Sequence, residues 1–388
     1  MDLVVEPPSC LQLPLKVPNF TLLGPGPTTC HPRVLHAMSL PVLSPLHTEF
    51  HQIMDEVKEG IQYVFQTKNP LTMVISASGN GGAEAAICNT AEQGEVVLIG
   101  INGMWSLRAA DIAERYGTQV KKLEKDLGDV FTLAEVEEAL KKYHPVLFFV
   151  VHGESSTGVM QPMEGLGDLC HKYNCLLVVD AVVSVGNVPV LTDKWKIDVI
   201  FSSSQKGLGC PAGLAPISYS QRALEKIKSR KTPVPARYFD ALTLGDFWSC
   251  FGNKIRTYHH TNPTNLFFAL REGLALIAEQ GIQNIWARTA ACHKQLVKGL
   301  KELGVGFFVK DESIMLPCVT VITYPGVNWE LVNEYLLKKH NTEMSLGTGP
   351  TKGKVLRIGL LGYTTEPYIV DHILKTLKDA LEYAKQKK

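Results

Sequence analysis

Hydrophobic positions change their spacing three times along the chain. The first twenty residues carry four prolines and little periodicity, and read as an extended arm over 1–20. Phe50, Ile53, Met54, Val57, Ile61, Val64 and Phe65 then fall on one helical face. Short continuous apolar runs follow at Met73–Ser76, Val96–Gly100, Val146–Val151, Cys175–Val179 and Val199–Ser203. Between them Leu107–Tyr116, Leu133–Tyr143 and Leu166–Tyr173 read as helices. Apolar runs without alternation suit strands covered on both faces. Strands and helices taking turns give βαβ units, so the pattern predicts an α/β fold on a largely parallel sheet. From about Asn265 the spacing changes again. Leu266, Phe267, Leu270, Leu274 and Ile277 mark a long helix ending near Gly281, and a second helix is expected over Ile285–Leu303. A strand-rich stretch around Cys318–Tyr324 follows, and a last helix places Ile369, Val370, Ile373, Leu374, Leu377 and Leu381 on one face. The expected organisation is a large domain over 21–281 and a smaller α+β domain over 282–388.

Composition narrows the function classes. The 388 residues carry a net charge of +1, with 45% hydrophobic and 20% charged residues, which is ordinary for a globular chain. No strong field is on offer for nucleic acid or an anionic membrane. The one dense basic run, Lys226–Lys231, reads as a solvated helix end. No apolar run reaches membrane-spanning length. The acidic, proline-bearing start argues against a signal or transit peptide, and the terminal Ala-Lys-Gln-Lys-Lys lacks the SKL-type ending. Nine dispersed cysteines without a CxxC read as reduced thiols. An intracellular soluble protein, peroxisomal or cytosolic, is expected. His47 and His51 flank Glu49 in an order unlike HExxH, and Cys170 with Cys175 lacks a metal-site pattern, so no metal is expected.

Open α/β sheets bind ligands beyond the carboxyl ends of their strands, so the residues after each apolar run are the chemical candidates. After Met73–Ser76 comes Ala77-Ser78-Gly79-Asn80-Gly81-Gly82, a small-residue loop opening a helix. Its backbone N–H groups and the positive helix end suit a phosphate, although a plain tight turn explains the loop equally well. After Cys175–Val179 comes Asp180. A carboxylate there is costly unless paired, which allows a helix cap, a salt bridge or a partner for a cationic ring nitrogen. After Val199–Ser203 comes Ser204-Gln205-Lys206-Gly207-Leu208-Gly209. Lysines are mostly surface residues, so Lys206 alone says little. The combination says more: an amine, an acid and an anion cup are what pyridoxal 5'-phosphate requires of a protein. The glycine-rich run Gly207–Gly213 contains Pro211 and is expected to be a flexible bend rather than a dinucleotide loop.

Several stretches together resemble the class V aminotransferases, nearest to the alanine–glyoxylate (serine–pyruvate) aminotransferase group. They are Gly24-Pro25-Gly26-Pro27, Gly153-Glu154-Ser155-Ser156-Thr157-Gly158, Val178-Val179-Asp180, Ser204-Gln205-Lys206, Tyr258-His259-His260-Thr261 and Leu356-Arg357-Ile358-Gly359. The resemblance runs from about residue 15 to 385. It implies a pyridoxal-phosphate-dependent transferase of fold type I, active as a homodimer on small amino acid and keto acid substrates through a ping-pong transamination. It also implies roles. Lys206 would hold the cofactor and shuttle a proton, Asp180 would pair with the ring nitrogen, and Trp105 and Val182 would bracket the ring. Ser155 would bond the ring hydroxyl. Ser78, Gly79, Asn80 and Gln205 would bind the phosphate, with Tyr258 and Thr261 reaching across from the partner subunit. Arg357 would grip the substrate carboxylate, with backbone near Gly26 helping to seat it. Three positions depart from the family's usual pattern: Asn80 stands for His, Ser106 stands for Gly after Trp105, and Leu346-Gly347-Thr348-Gly349-Pro350 replaces a Gly-Gly-Leu-Gly-Pro stretch. Asn80 and Ser106 are expected close to the cofactor. Besides alanine or serine transamination, a 3-hydroxykynurenine transaminase, a lyase acting on a small amino acid and a catalytically silent structural paralogue remain open at this point.

Overall fold

Strands built from unbroken β-branched and aliphatic residues have to be covered on both faces. In the computed structural model, which describes residues 4–387, they are. Every residue of Leu71–Ile75, Leu147–Val151, Leu176–Asp180 and Val199–Phe201 is buried. They belong to a seven-stranded sheet ordered Leu71–Ile75, Ala215–Tyr219, Val199–Phe201, Leu176–Asp180, Leu147–Val151, Val96–Ile101, Gln119–Glu124. Ala215–Tyr219 runs antiparallel to both neighbours, and the other pairings are parallel. The strand Gln119–Glu124 was not legible as an apolar run because it lies at the sheet edge. Its Lys121, Lys122 and Glu124 meet water there, and charges blunt an edge against unwanted pairing.

Helices join the strands where the periodicity places them, at Met104–Arg115, Leu133–Tyr143 and Leu166–Lys172. Local chemistry fixes their ends. Thr132 caps Leu133–Tyr143 by accepting the Glu135 N–H, while the Glu135 carboxylate accepts the Thr132 N–H at 2.8 Å. On one side of the sheet Thr48–Phe65 packs along Thr264–Gln280, with Phe50 edge-on to Phe267 at 5.5 Å. Gly60 permits this approach, because a Cβ there would lie 2.9 Å from Leu274.

The second layer is a four-stranded antiparallel sheet ordered Gly306–Phe307, Val319–Thr323, Leu356–Gly359, Ser345–Leu346. Helices Ile282–Glu302, Trp329–His340 and Pro367–Gln386 share a core with it through Leu296, Leu300, Val332, Leu336, Ile358, Ile373 and Leu377. Leu23 joins this core, and Thr21–Leu22 pairs in parallel with Thr342–Glu343. The chain then crosses to the larger sheet: the Gly359 N–H donates to Leu23 O at 2.7 Å and the Thr28 N–H to Gln205 O at 3.1 Å. The described part of the arm, 4–20, is exposed apart from the half-buried Phe20 and holds one short turn at Ser9–Gln12; residues 1–3 lie outside the described residues. The bend after Lys206 is pinned, contrary to the expectation of flexibility. The Gly209 N–H donates to Lys206 O, the Cys210 N–H to Ser204 O, and the Cys210 thiol sits 3.3 Å from Ala269 O. None of the nine cysteines is in a disulfide, and no helix among the described residues is long and apolar enough to cross a membrane.

Gly359 marks the tightest crossing, because a Cβ there would lie 1.9 Å from Gly24 O and 3.2 Å from Pro25 N. Gly359→Ala must therefore push the Gly24–Pro25 segment away, and is expected to cost about 1–3 kcal/mol of stability. Chemical denaturation checks this; an unchanged midpoint would mean that the segment moves aside freely.

Candidate active site

A cavity of about 150 Å³ opens beyond the carboxyl ends of the central strands. Nine of the thirteen residues singled out from the sequence line it: Ser78, Gly79, Asn80, Trp105, Ser155, Asp180, Val182, Gln205 and Lys206. The sheet register explains the convergence. Val151, Asp180 and Phe201 stand side by side on three adjacent parallel strands, so Ser155, Asp180 and Lys206 leave the sheet at one level. Ser78 and Gly79 begin the helix Gly79–Thr90, which follows the strand Leu71–Ile75.

Asp180 is buried, and its Oδ1 accepts one hydrogen bond, from the Val182 N–H at 2.9 Å. Burial pushes its carboxyl up to about 7; nearby Glu154 adds to the rise, and Lys206 opposes it. Lys206 is also buried, and its Nζ donates to Pro25 O at 2.6 Å. Burial, followed by the charge of Arg357, brings this amine down to about 8, against the pull of Asp180. Gly26 seats the amine. It has φ +108°, and a Cβ there would lie 2.6 Å from Lys206 Nζ, so both conformation and space demand glycine.

Trp105 is held at the cavity by its indole N–H, which donates to Ser155 Oγ at 2.9 Å. Its backbone N–H donates to Glu154 Oε2 at 3.0 Å. Glu154 is fully buried and also accepts from the Ser156 N–H at 3.0 Å and the Ser156 hydroxyl at 2.6 Å. Burial raises its carboxyl above the ordinary value. Glu154 thus caps the start of Met104–Arg115 from a neighbouring loop and sets the height of Trp105. Glu154 lies in the Gly153–Gly158 motif, but the sequence offers no hint that it caps a helix about fifty residues away in the same chain. Arg108 also lines the cavity, one turn beyond Trp105 on the same helix. The i,i+3 spacing from Trp105 was the signal that could have found it.

The remaining candidates sit elsewhere. Arg357, on the strand Leu356–Gly359, is buried behind the lining; its Nε donates to Leu346 O at 3.0 Å and its Nη1 to Ser155 O at 3.3 Å. The altered Leu346–Pro350 stretch therefore supplies a carbonyl that aims this arginine. Tyr258 and Thr261 bond each other through their hydroxyls at 2.7 Å, and neither lines this cavity. Tyr258 is half exposed. Ser106, expected close to the cofactor, follows the lining residue Trp105 but does not itself line the cavity. Its Oγ accepts from the Asn102 and Gly103 N–H groups at 3.1 Å, and so is occupied by the helix start.

The donor set fits pyridoxal phosphate: a buried amine, a buried acid with one hydrogen bond, an aromatic wall and a small-residue helix start surround one cavity. A Cβ on Gly79 would come within 3.1 Å of the Val182 side chain, so a larger residue here would make Val182 give way.

Comparison with known proteins agrees with this geometry. The family model of Aminotransferase class-V matches residues 25–369. The alanine–glyoxylate aminotransferase of Rattus norvegicus is 49% identical over 388 residues, covering all of this chain and 94% of the relative. The (S)-ureidoglycine–glyoxylate transaminase of Bacillus subtilis is 35% identical and covers 95% of this chain and 92% of its own. Among solved structures, an alanine–glyoxylate aminotransferase from Nostoc sp. superposes with a TM-score of 0.93 at 41% identity, covering 97% of this chain and all of that one. With the amine, the acid and the anion cup around one cavity, the chain belongs to the class V aminotransferases and is a pyridoxal-phosphate enzyme.

Proposed function

We propose that the chain moves an amino group between a small amino acid, alanine or serine, and glyoxylate or pyruvate, in two half-reactions that share one site. The observation that carries this reading is the pair of buried titratable groups, Lys206 and Asp180, on one cavity with Arg357 behind it. The chain is also about half identical, over its whole length, to an alanine–glyoxylate aminotransferase.

Pyridoxal phosphate, when bound, supplies the electron sink that lets a proton leave the substrate α-carbon. The chain does the rest. Lys206 holds the cofactor aldehyde and moves the α-proton with its Nζ. Asp180 is the acid for the ring nitrogen, and Trp105 and Val182 wall the ring. Ser155 Oγ already accepts from Trp105, which leaves its own proton for the ring hydroxyl. Ser78, Gly79, Asn80 and Gln205 take the phosphate, the first three at a helix N-terminus. Arg357 receives the substrate carboxylate as a planar fork, and Gly26 leaves room beside it. The reading includes a homodimer: Tyr258 and Thr261 are bonded to each other, lie off their own subunit's cavity and serve the partner's phosphate site.

A donor and acceptor screen on pure protein tests the reading. Alanine or serine with glyoxylate should turn over fastest. Faster use of 3-hydroxykynurenine, or ammonia release without any keto acid, would replace it.

Lys206→Ala should fold and lose turnover by at least about 10³-fold; wild-type rates in that variant would end the proposal. The rate of cofactor capture should also follow the Lys206 amine. Only the neutral amine attacks an aldehyde, so capture should rise about tenfold per pH unit and level off above about 8, where burial has placed this group. A rise that continues toward 10.5, the ordinary lysine value, would place the reacting amine in water. Arg357→Lys should weaken substrate use by about 10²-fold while changing cofactor affinity little, since a lysine cannot form the two-pronged contact. Cofactor titration and steady-state kinetics separate the two effects.

A further inference from the structure

Beneath the small-residue loop lies a hydrogen-bonded chain that the roles above do not use. His259 Nε2 is 3.3 Å from Arg237 O, His259 Nδ1 is 2.8 Å from His260 Nδ1, and His260 Nε2 is 2.8 Å from Ser76 Oγ. One proton order satisfies all three contacts with neutral rings. A carbonyl only accepts, so His259 Nε2 carries a proton and His259 Nδ1 is bare. His260 Nδ1 must then donate to it, which leaves His260 Nε2 bare, and so the Ser76 hydroxyl must donate to His260. Burial keeps both imidazoles below their ordinary value, His260 at about 4, and a neutral pair is what the order requires.

Ser76 is the last residue before the loop, between the strand Leu71–Ile75 and Ala77-Ser78-Gly79. Its carbonyl is held as well, by the Tyr238 hydroxyl at 3.1 Å, and the Tyr238 ring lies 5.0 Å from that of His260. The other acceptor within reach of the Ser76 hydroxyl, Asn262 Oδ1, is farther away at 3.5 Å. The hydroxyl and the carbonyl of Ser76 are thus both fixed from outside the loop. None of Ser76, His259 and His260 lines the cavity, whereas Ser78 and Gly79, two and three residues on, do.

We propose that the chain Arg237 O, His259, His260, Ser76 is a positioning device that sets where the loop Ser78–Asn80 begins, and so its fit to the cofactor phosphate. This rests on the reading that the loop holds that phosphate. A loop start fixed by a directional chain presents its N–H groups without further ordering when an anion arrives, and preorganisation of this kind raises affinity for the anion rather than for the ring.

The test compares pyridoxal phosphate with pyridoxal, which lacks the phosphate, by absorbance titration of cofactor-free protein. The parent protein should bind the phosphorylated form far more tightly. His260→Phe, which removes the acceptor, and Ser76→Ala, which removes the donor, should each shrink that ratio about tenfold, with pyridoxal affinity unchanged. His260→Gln, whose amide oxygen can accept the Ser76 proton, should recover part of it. Melting temperatures identify a variant that has merely lost its fold; if His260→Phe is one, Ser76→Ala decides. An unchanged ratio in the folded variants, or an equal loss for both ligands, overturns the positioning role. A parent protein with no preference for the phosphorylated form overturns the phosphate reading of the loop, and this inference with it.

Discussion

Asp180 and Lys206 are ionisable groups taken out of water at the ends of two neighbouring strands, and much of the surrounding architecture answers the cost of keeping them there. Raising the Asp180 carboxyl from 3.8 to about 7 corresponds to about 4 kcal/mol disfavouring its charged form. Lys206 is pushed the other way, to about 8. The two do not cancel by direct contact, because the amine donates to Pro25 O and the carboxylate accepts from the Val182 N–H. Each keeps capacity for a ligand, a state that burial alone disfavours.

Holding that arrangement requires the two sheets to act together. The larger sheet sets the level of Asp180 and Lys206 through the parallel register of Val151, Asp180 and Phe201. The smaller sheet provides Arg357, whose charge is the second cause of the lowered Lys206 amine. Between them passes the segment from Leu23 to Thr28. It starts in the smaller core, is clamped against Gly359, gives Pro25 O to Lys206 and ends bonded to Gln205 O. Glycine is obligatory at two points of this crossing: Gly26 for its conformation and its closeness to Lys206, and Gly359 for its contact with backbone.

What the sequence revealed follows from where information is local. Buried strands were legible because burial on both faces removes polar residues from the run, as in Leu147–Val151 and Leu176–Asp180. Ala215–Tyr219 was missed: it contains Pro216 and draws its strand character from antiparallel pairing with Val199–Phe201 and with Leu71–Ile75, far away in sequence. Helix Trp329–His340 was missed too, although Asn328 caps it by accepting from the Glu330 and Leu331 N–H groups; its apolar stripe is narrow, with Trp329, Val332 and Leu336 buried. At the site, residues directly after strands were readable, since strand ends converge in this fold. Glu154 as a helix cap and Arg108 as a lining residue were not, because their roles depend on which loop meets which helix. Ser106 does not line the cavity for a related reason: a serine at a helix start has backbone N–H groups to satisfy, and its Oγ accepts from Asn102 and Gly103 instead.

Asn80 is the departure that bears most on chemistry, because it lines the cavity where the resemblance leads one to expect histidine. An imidazole would bring a group that titrates near neutrality beside the phosphate loop, whereas an amide brings a fixed dipole with one acceptor and two donors. With Asn80 in place, Asp180 and Lys206 are the cavity-lining groups whose protonation is displaced toward neutral pH. Their shifts move toward each other, the acid up to about 7 and the amine down to about 8, so the two change protonation within a narrow interval near neutral pH. The imidazoles close to the loop, His259 and His260, are held neutral by burial and by one another. These imidazoles therefore stay neutral across the range in which Lys206 changes its protonation, and the pH response of the cavity becomes that of Asp180 and Lys206.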